Sequence, residues 1–280
     1  RLDVVQPAAR GGVRRAAGSG GGGVSTVPIL LYHQVTPRPH PRFRKYSVTP
    51  RAFAAQMRWL AVSGYRAVSL EDLRTAREGR DALPERPVAV TFDDGFQECV
   101  EHAAPVLERH GFTATFFLVA GLTGGRSQWL AAERGIELPL IDWAEARRLE
   151  ERGFRCGAHT LTHPRLADLP AEACRRELEE SRRVMEDHLG RPVREMAYPF
   201  GSFSPEVREM AAEAGYGIAC SSRPGPSPAD DDPLALRRIS IDGEDSLADF
   251  VCRLGTGKTL RQGIKGGAER VWRQIRGAAA

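Results

Sequence analysis

The feature that most constrains this fold is a regular alternation of short apolar runs with amphipathic helical stretches. The apolar runs have the length of buried strands and occupy residues 27–33, 87–93, 113–119, 154–159, 196–200 and 216–220. Helices are predicted at about 97–110, 142–152 and 170–189, and another begins at Ser204 and Pro205. Repeated βα units of this size predict a largely parallel α/β sheet, either a barrel or an open sheet.

The pattern divides the 280 residues into three predicted segments. Residues 1–26 are a Gly- and Arg-rich flexible tail, 27–255 are one α/β domain, and 256–280 are a basic extension. The favoured interpretation of the extension is solvated chain. Its scattered apolar residues also allow an amphipathic helix that contacts a membrane surface or a partner.

Composition argues against nucleic-acid-binding and membrane-spanning classes. The net charge is only +4, and basic residues are not gathered beside stacking aromatics, so no nucleic-acid partner is predicted. No apolar run is long enough to span a bilayer. The five scattered cysteines, without a C-x-x-C pair, favour reduced thiols and a cytoplasmic location. A signal removed before Arg1 would instead imply a secreted or cell-envelope protein.

Two adjacent carboxylates end the apolar run at 87–93. The segment reads T-F-D-D-G, and it brings Asp93 and Asp94 to the end of a strand, just before a glycine. Carboxylates this close repel each other when both are ionised, so a cation or a proton is expected between them. A metal that holds one of them would leave the other free as a base. The alternative is a solvated Asp-Asp-Gly turn, which is common in any sequence.

A pair of histidines follows the apolar run at 154–159. His159 and His163 stand in A-H-T-L-T-H-P, at a spacing that metal ligands can use. Because Pro164 disfavours a helix at His163, the segment predicts a loop that folds both rings toward one point. Two unrelated histidines on a surface loop remain the alternative.

Together, one aspartate and the two histidines form a mixed oxygen and nitrogen site with open positions. Such a site suits a catalytic Zn²⁺, or another divalent metal such as Co²⁺ or Ni²⁺, that also holds a water. The metal would lower the pKa of the water and polarise a carbonyl, while the second aspartate accepts the water's proton. All these residues follow strands, whose carboxyl ends share one face of a parallel barrel.

With these residues assembled, the chain closely resembles the polysaccharide deacetylases of carbohydrate esterase family 4, the nodulation-deacetylase type, over about residues 27–241. The resemblance implies a single-domain, distorted (β/α) barrel with fewer than eight strands. It implies Asp93 as the catalytic base and Asp94, His159 and His163 as the metal ligands. The implied reaction is hydrolysis of the linear amide bond of N-acetyl groups on amino sugars, with the metal-held water attacking the carbonyl.

The chain departs from this family at the third motif. Many members carry an arginine two residues before a proline, and this arginine orients the base, but here Ala197 takes its place. Pro199 and Phe200 are retained, so the resemblance still allows the backbone N–H of Phe200 to donate to the oxyanion. Arg237 and Arg238 are the candidates for the missing cation, and Arg238 is assigned to the catalytic set, although each could equally be a surface arginine.

The general acid that many members supply near their C-terminus is also missing, because no histidine follows His188. The segment L-L-Y-H-Q-V, residues 30–35, instead resembles the subgroup typified by biofilm poly-N-acetylglucosamine deacetylases. In that subgroup the histidine comes from the first strand. The resemblance therefore implies His33 as the general acid, whereas its position alone favours a structural histidine at a strand end.

Residues near these motifs are candidates for contact with a sugar: Trp129, Asp142, Trp143, Tyr198 and Pro199. Aromatic rings can stack on sugars, although most aromatics near a cleft belong to the core. The predicted partner is thus an N-acetylated carbohydrate. The alternatives are a deacylase of a smaller N-acyl conjugate and a carbohydrate-binding remnant without turnover, which the missing arginine favours and the retained Asp93 disfavours.

Overall fold

The structure is a computed structural model that describes residues 26–259. The predicted tail at 1–26, apart from Thr26, and most of the predicted extension at 256–280 lie outside the described residues. In the described part no helix is both long enough and apolar enough to cross a membrane.

The described residues form twelve strands, which are β1 (Thr26–Val27), β2 (Ile29–Tyr32), β3 (Gln34–Val35), β4 (Ser47–Val48), β5 (Arg66–Ala67), β6 (Pro87–Phe92), β7 (Thr115–Leu118), β8 (Arg155–Ala158), β9 (Glu195–Ala197), β10 (Ile218–Pro224), β11 (Ser227–Pro228) and β12 (Leu236–Ser240). Their α-helices are α1 (Pro50–Val62), α2 (Leu70–Arg77), α3 (Gln97–His102), α4 (Ala104–Arg109), α5 (Gln128–Arg134), α6 (Trp143–Glu151), α7 (Ala171–Leu189), α8 (Pro205–Glu213) and α9 (Leu247–Thr256).

Seven strands close into a parallel barrel. Their order is β2-β12-β10-β9-β8-β7-β6, and β6 pairs again with β2 in parallel. β5 pairs in parallel with the first residues of β6, outside the ring. β1 with β11 and β3 with β4 form two small separate sheets. The barrel has fewer than eight strands in its ring, and the fold expected from the resemblance, a distorted (β/α) barrel in one domain, is confirmed.

Alternate residues of the ring strands face two different apolar clusters, as the period of a strand requires. Leu30 and Tyr32 of β2 belong to the larger cluster between the strands and the helices, where Phe53 of α1 also packs. Ile29 belongs to a smaller cluster, which includes Phe117 and collects side chains from most of the ring strands. Gly157 of β8 leaves the space that the Phe117 ring needs, because a Cβ there would lie 2.8 Å from the ring.

The predicted strands overlap β1 and β2, β6, β7, β8, β9 and β10. One predicted helix is wrong in its continuity: the stretch at about 97–110 forms α3 and α4, interrupted at Ala103. Pro105 explains the break, because it has no N–H to donate to the preceding turn. At α8, Ser204 accepts a hydrogen bond from the Val207 N–H, as the predicted helix start required.

Candidate active site

A cavity of about 340 Å³ opens at the carboxyl ends of the ring strands. Asp93 and Asp94 follow β6, His159 follows β8, and His33 follows β2. Arg238 reaches the cavity from within β12. Parallel strands that close into a ring present their carboxyl ends on one face, so residues far apart in sequence line one cavity.

Asp94, His159 and His163 come together as one cluster of ligand atoms within 4.8 Å of one another. The Nε2 atoms of His159 and His163 lie 3.4 and 3.1 Å from Asp94 Oδ1. All three side chains are buried. Asp94 has φ +73°, and this left-handed backbone breaks the strand alternation that would otherwise send Asp93 and Asp94 to opposite faces.

The hydrogen bonds of the histidines fit a metal site. His159 Nδ1 lies 2.8 Å from the Ala197 carbonyl oxygen, which can only accept, so Nδ1 carries a proton and Nε2 is the ring nitrogen that faces Asp94 and would bind a metal once deprotonated. His163 Nδ1 is buried without a hydrogen-bond partner among the described residues. Two imidazoles and one carboxylate around a shared point are donors that suit a divalent transition metal, zinc above all.

The pKa values in this cluster follow from burial and from the neighbouring charges. Burial raises the pKa of Asp94, but hydrogen bonds from His159 and His163 outweigh it and hold that pKa far below its usual range. Burial lowers the pKa of His159, and the charges of Asp93 and Asp94 outweigh it and raise that pKa. For His163 burial prevails, so its pKa lies below the ordinary value. The carboxylate therefore stays ionised, as a metal ligand must.

Asp93 is held by Arg238 in a bidentate ion pair. Arg238 Nη1 and Nη2 donate to the two Asp93 oxygens at 2.6 and 2.7 Å, and Arg238 Nε donates to the Ser221 carbonyl at 2.9 Å. Burial raises the pKa of Asp93, yet the charge of Arg238 outweighs it and the pKa lies below its usual value. Arg237 instead points outward and pairs with Asp231. Of the two arginines considered for the missing third-motif cation, Arg238 is the one beside Asp93.

His33 borders the cavity on the side of the short 3₁₀ helix at Pro41–Tyr46. It is half-buried, and its ring centroid lies 5.0 Å from that of Tyr46. Burial lowers the pKa of His33 and outweighs the opposing charges of Asp93 and Asp94, so the neutral ring is favoured.

Phe200 and Trp129 also line the cavity, and both rings contact His163. The Phe200 and His163 ring centroids lie 4.7 Å apart, and the Trp129 ring stacks on His163 at 4.3 Å. Phe200 has φ +58°, and Arg165 lies over its exposed ring at 3.9 Å. Both aromatic side chains contribute to the apolar lining of the cavity, together with Leu31, Phe43, Tyr46 and Leu130.

Four of the predicted sugar contacts do not line the cavity. Tyr198 is fully buried, because its hydroxyl donates to the Leu234 carbonyl and its ring stacks on Phe203. Pro199 is buried as well. Asp142 caps α6 through the Glu145 N–H. Trp143 stacks on His188 with ring centroids 4.2 Å apart. Asp142 and Trp143 stand at the start of α6, and Tyr198 and Pro199 are enclosed by their own packing, so nearness to the motifs in sequence does not bring these four side chains to the cavity.

Several cavity residues were not anticipated from the sequence: Leu31, Phe43, Tyr46, Glu133, Arg134 and Arg165. Arg165 follows the second histidine by two residues, so its place near the site could have been expected from the H-P motif. Phe43 and Tyr46 stand in a segment with no motif, and only the fold brings them beside His33.

Comparison with known proteins finds a family and several relatives that this chain resembles. A family model described as Polysaccharide deacetylase matches residues 80–219, an interval that contains Asp93, Asp94, His159 and His163. The YxkH protein of Bacillus subtilis is 25% identical over 215 residues, which cover 77% of this chain and 71% of that protein. The poly-beta-1,6-N-acetyl-D-glucosamine N-deacetylase of Staphylococcus epidermidis is 22% identical over 215 residues, 73% of this chain and 72% of its own.

A solved structure shares the fold. The Streptococcus pyogenes deacetylase PplD, in complex with acetate, superposes with a TM-score of 0.71 at 22% identity. The superposition covers 82% of this chain and 98% of that one.

Proposed function

The chain belongs to the polysaccharide deacetylase family, and from that membership we propose that it is a metal-dependent hydrolase that removes N-acetyl groups from an amino sugar. The observation that carries the proposal is that one cavity contains both a set of metal donors and a carboxylate that can act as a base. Three buried metal donors stand beside an Asp93 carboxylate whose orientation Arg238 fixes. A binding-only protein would need neither a base nor its cation partner.

The proposed ligands are Asp94, His159 and His163, with zinc as the favoured metal and Co²⁺ or Ni²⁺ as alternatives. When bound, such a metal polarises the acetyl carbonyl and makes a water acidic enough to react near neutral pH. Asp93 takes the proton of the attacking water, because its carboxylate is ionised and borders the cavity. Arg238 keeps that carboxylate in place during the transfer.

Two further groups complete the proposed reaction. The backbone N–H of Phe200 donates to the carbonyl oxygen as negative charge develops there. His33 delivers a proton to the departing amine. Burial lowers the pKa of His33, so the ring must take up a proton before it can donate one. Over the whole reaction the proton that Asp93 takes from the water replaces the proton that His33 gives to the amine.

The substrate class we propose is a poly- or oligosaccharide of N-acetylated amino sugars. The relative from Staphylococcus epidermidis carries such a polymer in its name, and it spans most of this chain. Trp129 and Phe200 line the cavity beside the metal donors, and Phe200 is the more exposed of the two, so its ring is the better candidate for contact with a sugar. A smaller N-acylated conjugate stays the second candidate, because the cavity of about 340 Å³ also accommodates a single sugar.

The test is acetate release from N-acetylglucosamine oligomers with added Zn²⁺, Co²⁺ or Ni²⁺. Wild-type protein should release acetate only in the presence of metal. Asp93→Asn should retain metal affinity and lose on the order of 10²- to 10⁴-fold in rate, because the general base is gone. Asp94→Asn should lose both metal affinity and rate.

The hydrolase proposal fails if wild type and Asp93→Asn are equally inert across linear, branched and monomeric acetylated sugars. Release of acetate from a small conjugate, with none from oligomers, would instead select the second candidate.

A further inference from the structure

The loop that carries both histidines, residues 159–163 and called here the histidine loop, is held by a buried carboxylate on another element. Glu177 lies on α7 and is only 7% exposed. Its Oε2 accepts from the Leu161 and Thr162 backbone N–H groups, both at 2.9 Å. Its Oε1 accepts from the Thr162 hydroxyl at 2.6 Å.

The histidine loop needs such support because its backbone is strained. Thr160 and His163 have φ values of +64° and +69°, which are unfavourable for residues other than glycine. The loop belongs to no helix or strand, and apart from those to Glu177 its own N–H hydrogen bonds lie at its two ends, from His159 to the Leu118 carbonyl and from His163 to the Thr160 hydroxyl oxygen. Two of its carbonyl groups have partners on another segment. The N–H groups of Ala120 and Gly121 donate to the Thr160 and Leu161 carbonyl oxygens at 3.0 and 2.8 Å.

The hydrogen bonds of the Glu177 carboxylate all go to this loop. Within residues 26–259, its three donors are the N–H groups of Leu161 and Thr162 and the Thr162 hydroxyl. A buried carboxylate is costly unless donors compensate it, and N–H groups that point at an ionised oxygen make strong hydrogen bonds. The carboxylate therefore stabilises the conformation of the histidine loop.

We propose that Glu177 is a positioning residue for the metal site. It fixes the backbone between His159 and His163, so that both Nε2 atoms stay beside Asp94 Oδ1. This inference rests on the proposed function, since it assigns a role to the same donors. Glu177 acts through the loop and is not itself a ligand, because its hydrogen bonds are all with Leu161 and Thr162.

The experiment measures Co²⁺ binding to the full-length protein by titration and by the visible absorption of bound cobalt. Glu177→Ala removes all three hydrogen bonds and should weaken cobalt affinity by about tenfold or more, with an altered absorption spectrum. Glu179→Gln, an exposed change on the same helix, is the matched control and should bind as wild type does.

A second pair of variants distinguishes the effect of the length of the Glu177 side chain from the effect of its charge. Glu177→Gln keeps the length, because its amide oxygen can accept from both backbone N–H groups while its NH₂ donates to the Thr162 hydroxyl. It should therefore retain cobalt affinity and spectrum. Glu177→Asp keeps the charge, is one methylene shorter and should lose affinity as Glu177→Ala does. This pair decides the question even if the alanine variant does not fold.

The proposal is overturned if folded Glu177→Ala binds cobalt with the affinity and spectrum of wild type, or if Glu177→Asp equals or surpasses Glu177→Gln. Such a result, with cobalt bound by wild type, would leave the proposed function intact. A wild-type protein that binds no cobalt would contradict the metal site itself, and the role of Glu177 with it.

Discussion

Arg238 has the largest side chain among those that the described residues bury completely. Its ion pair with Asp93 makes this burial possible. A guanidinium removed from water needs partners for its N–H groups, and here the Asp93 carboxylate, the Thr91 hydroxyl and a backbone carbonyl supply them. Its neighbour Arg237 has a half-exposed side chain on the opposite face of β12. Strand alternation thus gives two adjacent arginines different environments.

Arg238→Met should destabilise the metal-free protein by about 3–5 kcal/mol, because it leaves a buried carboxylate without its partner. Arg237→Met removes a half-exposed arginine, while Asp231 keeps its hydrogen bonds from the Ser227 hydroxyl and the residue-237 N–H, so the change should cost about 1 kcal/mol or less. Urea unfolding at pH 7 compares the two variants with wild type. Equal destabilisation by both substitutions would contradict the buried pairing.

The difference in free energy of unfolding between Arg238→Met and wild type should become smaller as the pH falls from 7 toward 4. In wild type the pKa of Asp93 is depressed, so the stability from the pair is present above the unfolded pKa of about 3.9 and is lost only at lower pH. Without Arg238, burial raises that pKa, so the buried carboxylate is neutralised at a higher pH and its penalty disappears. The same unfolding experiment, repeated across this pH range, supplies the measurement.

At the scale of elements, the histidine loop lies between α7 and the short 3₁₀ turn at Ala120–Leu122. Gly121 in that turn is required by space rather than by backbone angle. A Cβ at this position would lie 2.7 Å from the Leu161 carbonyl oxygen, which is itself hydrogen-bonded to the Gly121 N–H. The turn and the loop can approach this closely only when one side chain is absent.

Gly121→Ala should lower stability by about 1–3 kcal/mol, the usual cost of an added carbon in a packed place. At roughly 2–4 °C of Tm per kcal/mol, thermal unfolding should show a drop of several degrees. Gly255→Ala is the control, because a Cβ there meets nothing within 4 Å and α9 gains a better helix former. The same Tm for both variants would argue against close packing of the loop.

The strands that were predicted well, such as β6 and β7, are continuous apolar runs that lie between helical segments of the sequence. β12 escaped prediction as a ring strand because L-R-R-I-S carries two arginines at its centre. Its buried position depends on Asp93, 145 residues away, and no local pattern expresses that contact. Asp93, Asp94, His159 and His163 could be named from local motifs, whereas the choice between Arg237 and Arg238 required the barrel.

At the scale of the whole molecule, the barrel brings donors from separate βα units to one cavity. A ligand that binds there only in the folded state stabilises the entire ring, because the unfolded chain does not hold its donors together. Metal binding and global stability are therefore expected to rise and fall together.

Zinc at about a hundred times its Kd should add about 2.7 kcal/mol of stability, which is roughly 5–10 °C in Tm for a domain of this size. A chelator should reverse the shift. Asp94→Asn should abolish it, whereas Asp81→Asn, an exposed change, should leave it intact. Differential scanning calorimetry of the same preparation with and without zinc provides the comparison, and an unchanged Tm in wild type would count against the site.

The ring closes where β2 lies between β6 and β12, so its first and last strands are neighbours. This closure has a consequence for the order of events during synthesis on the ribosome. Asp93 is made long before Arg238, and a nascent chain that lacks β12 has neither the partner of that carboxylate nor the strand that seals the ring. Domains generally fold as units once their segments have emerged. We therefore expect the cavity to form late in translation, once β12 and nearly the whole domain have left the ribosome.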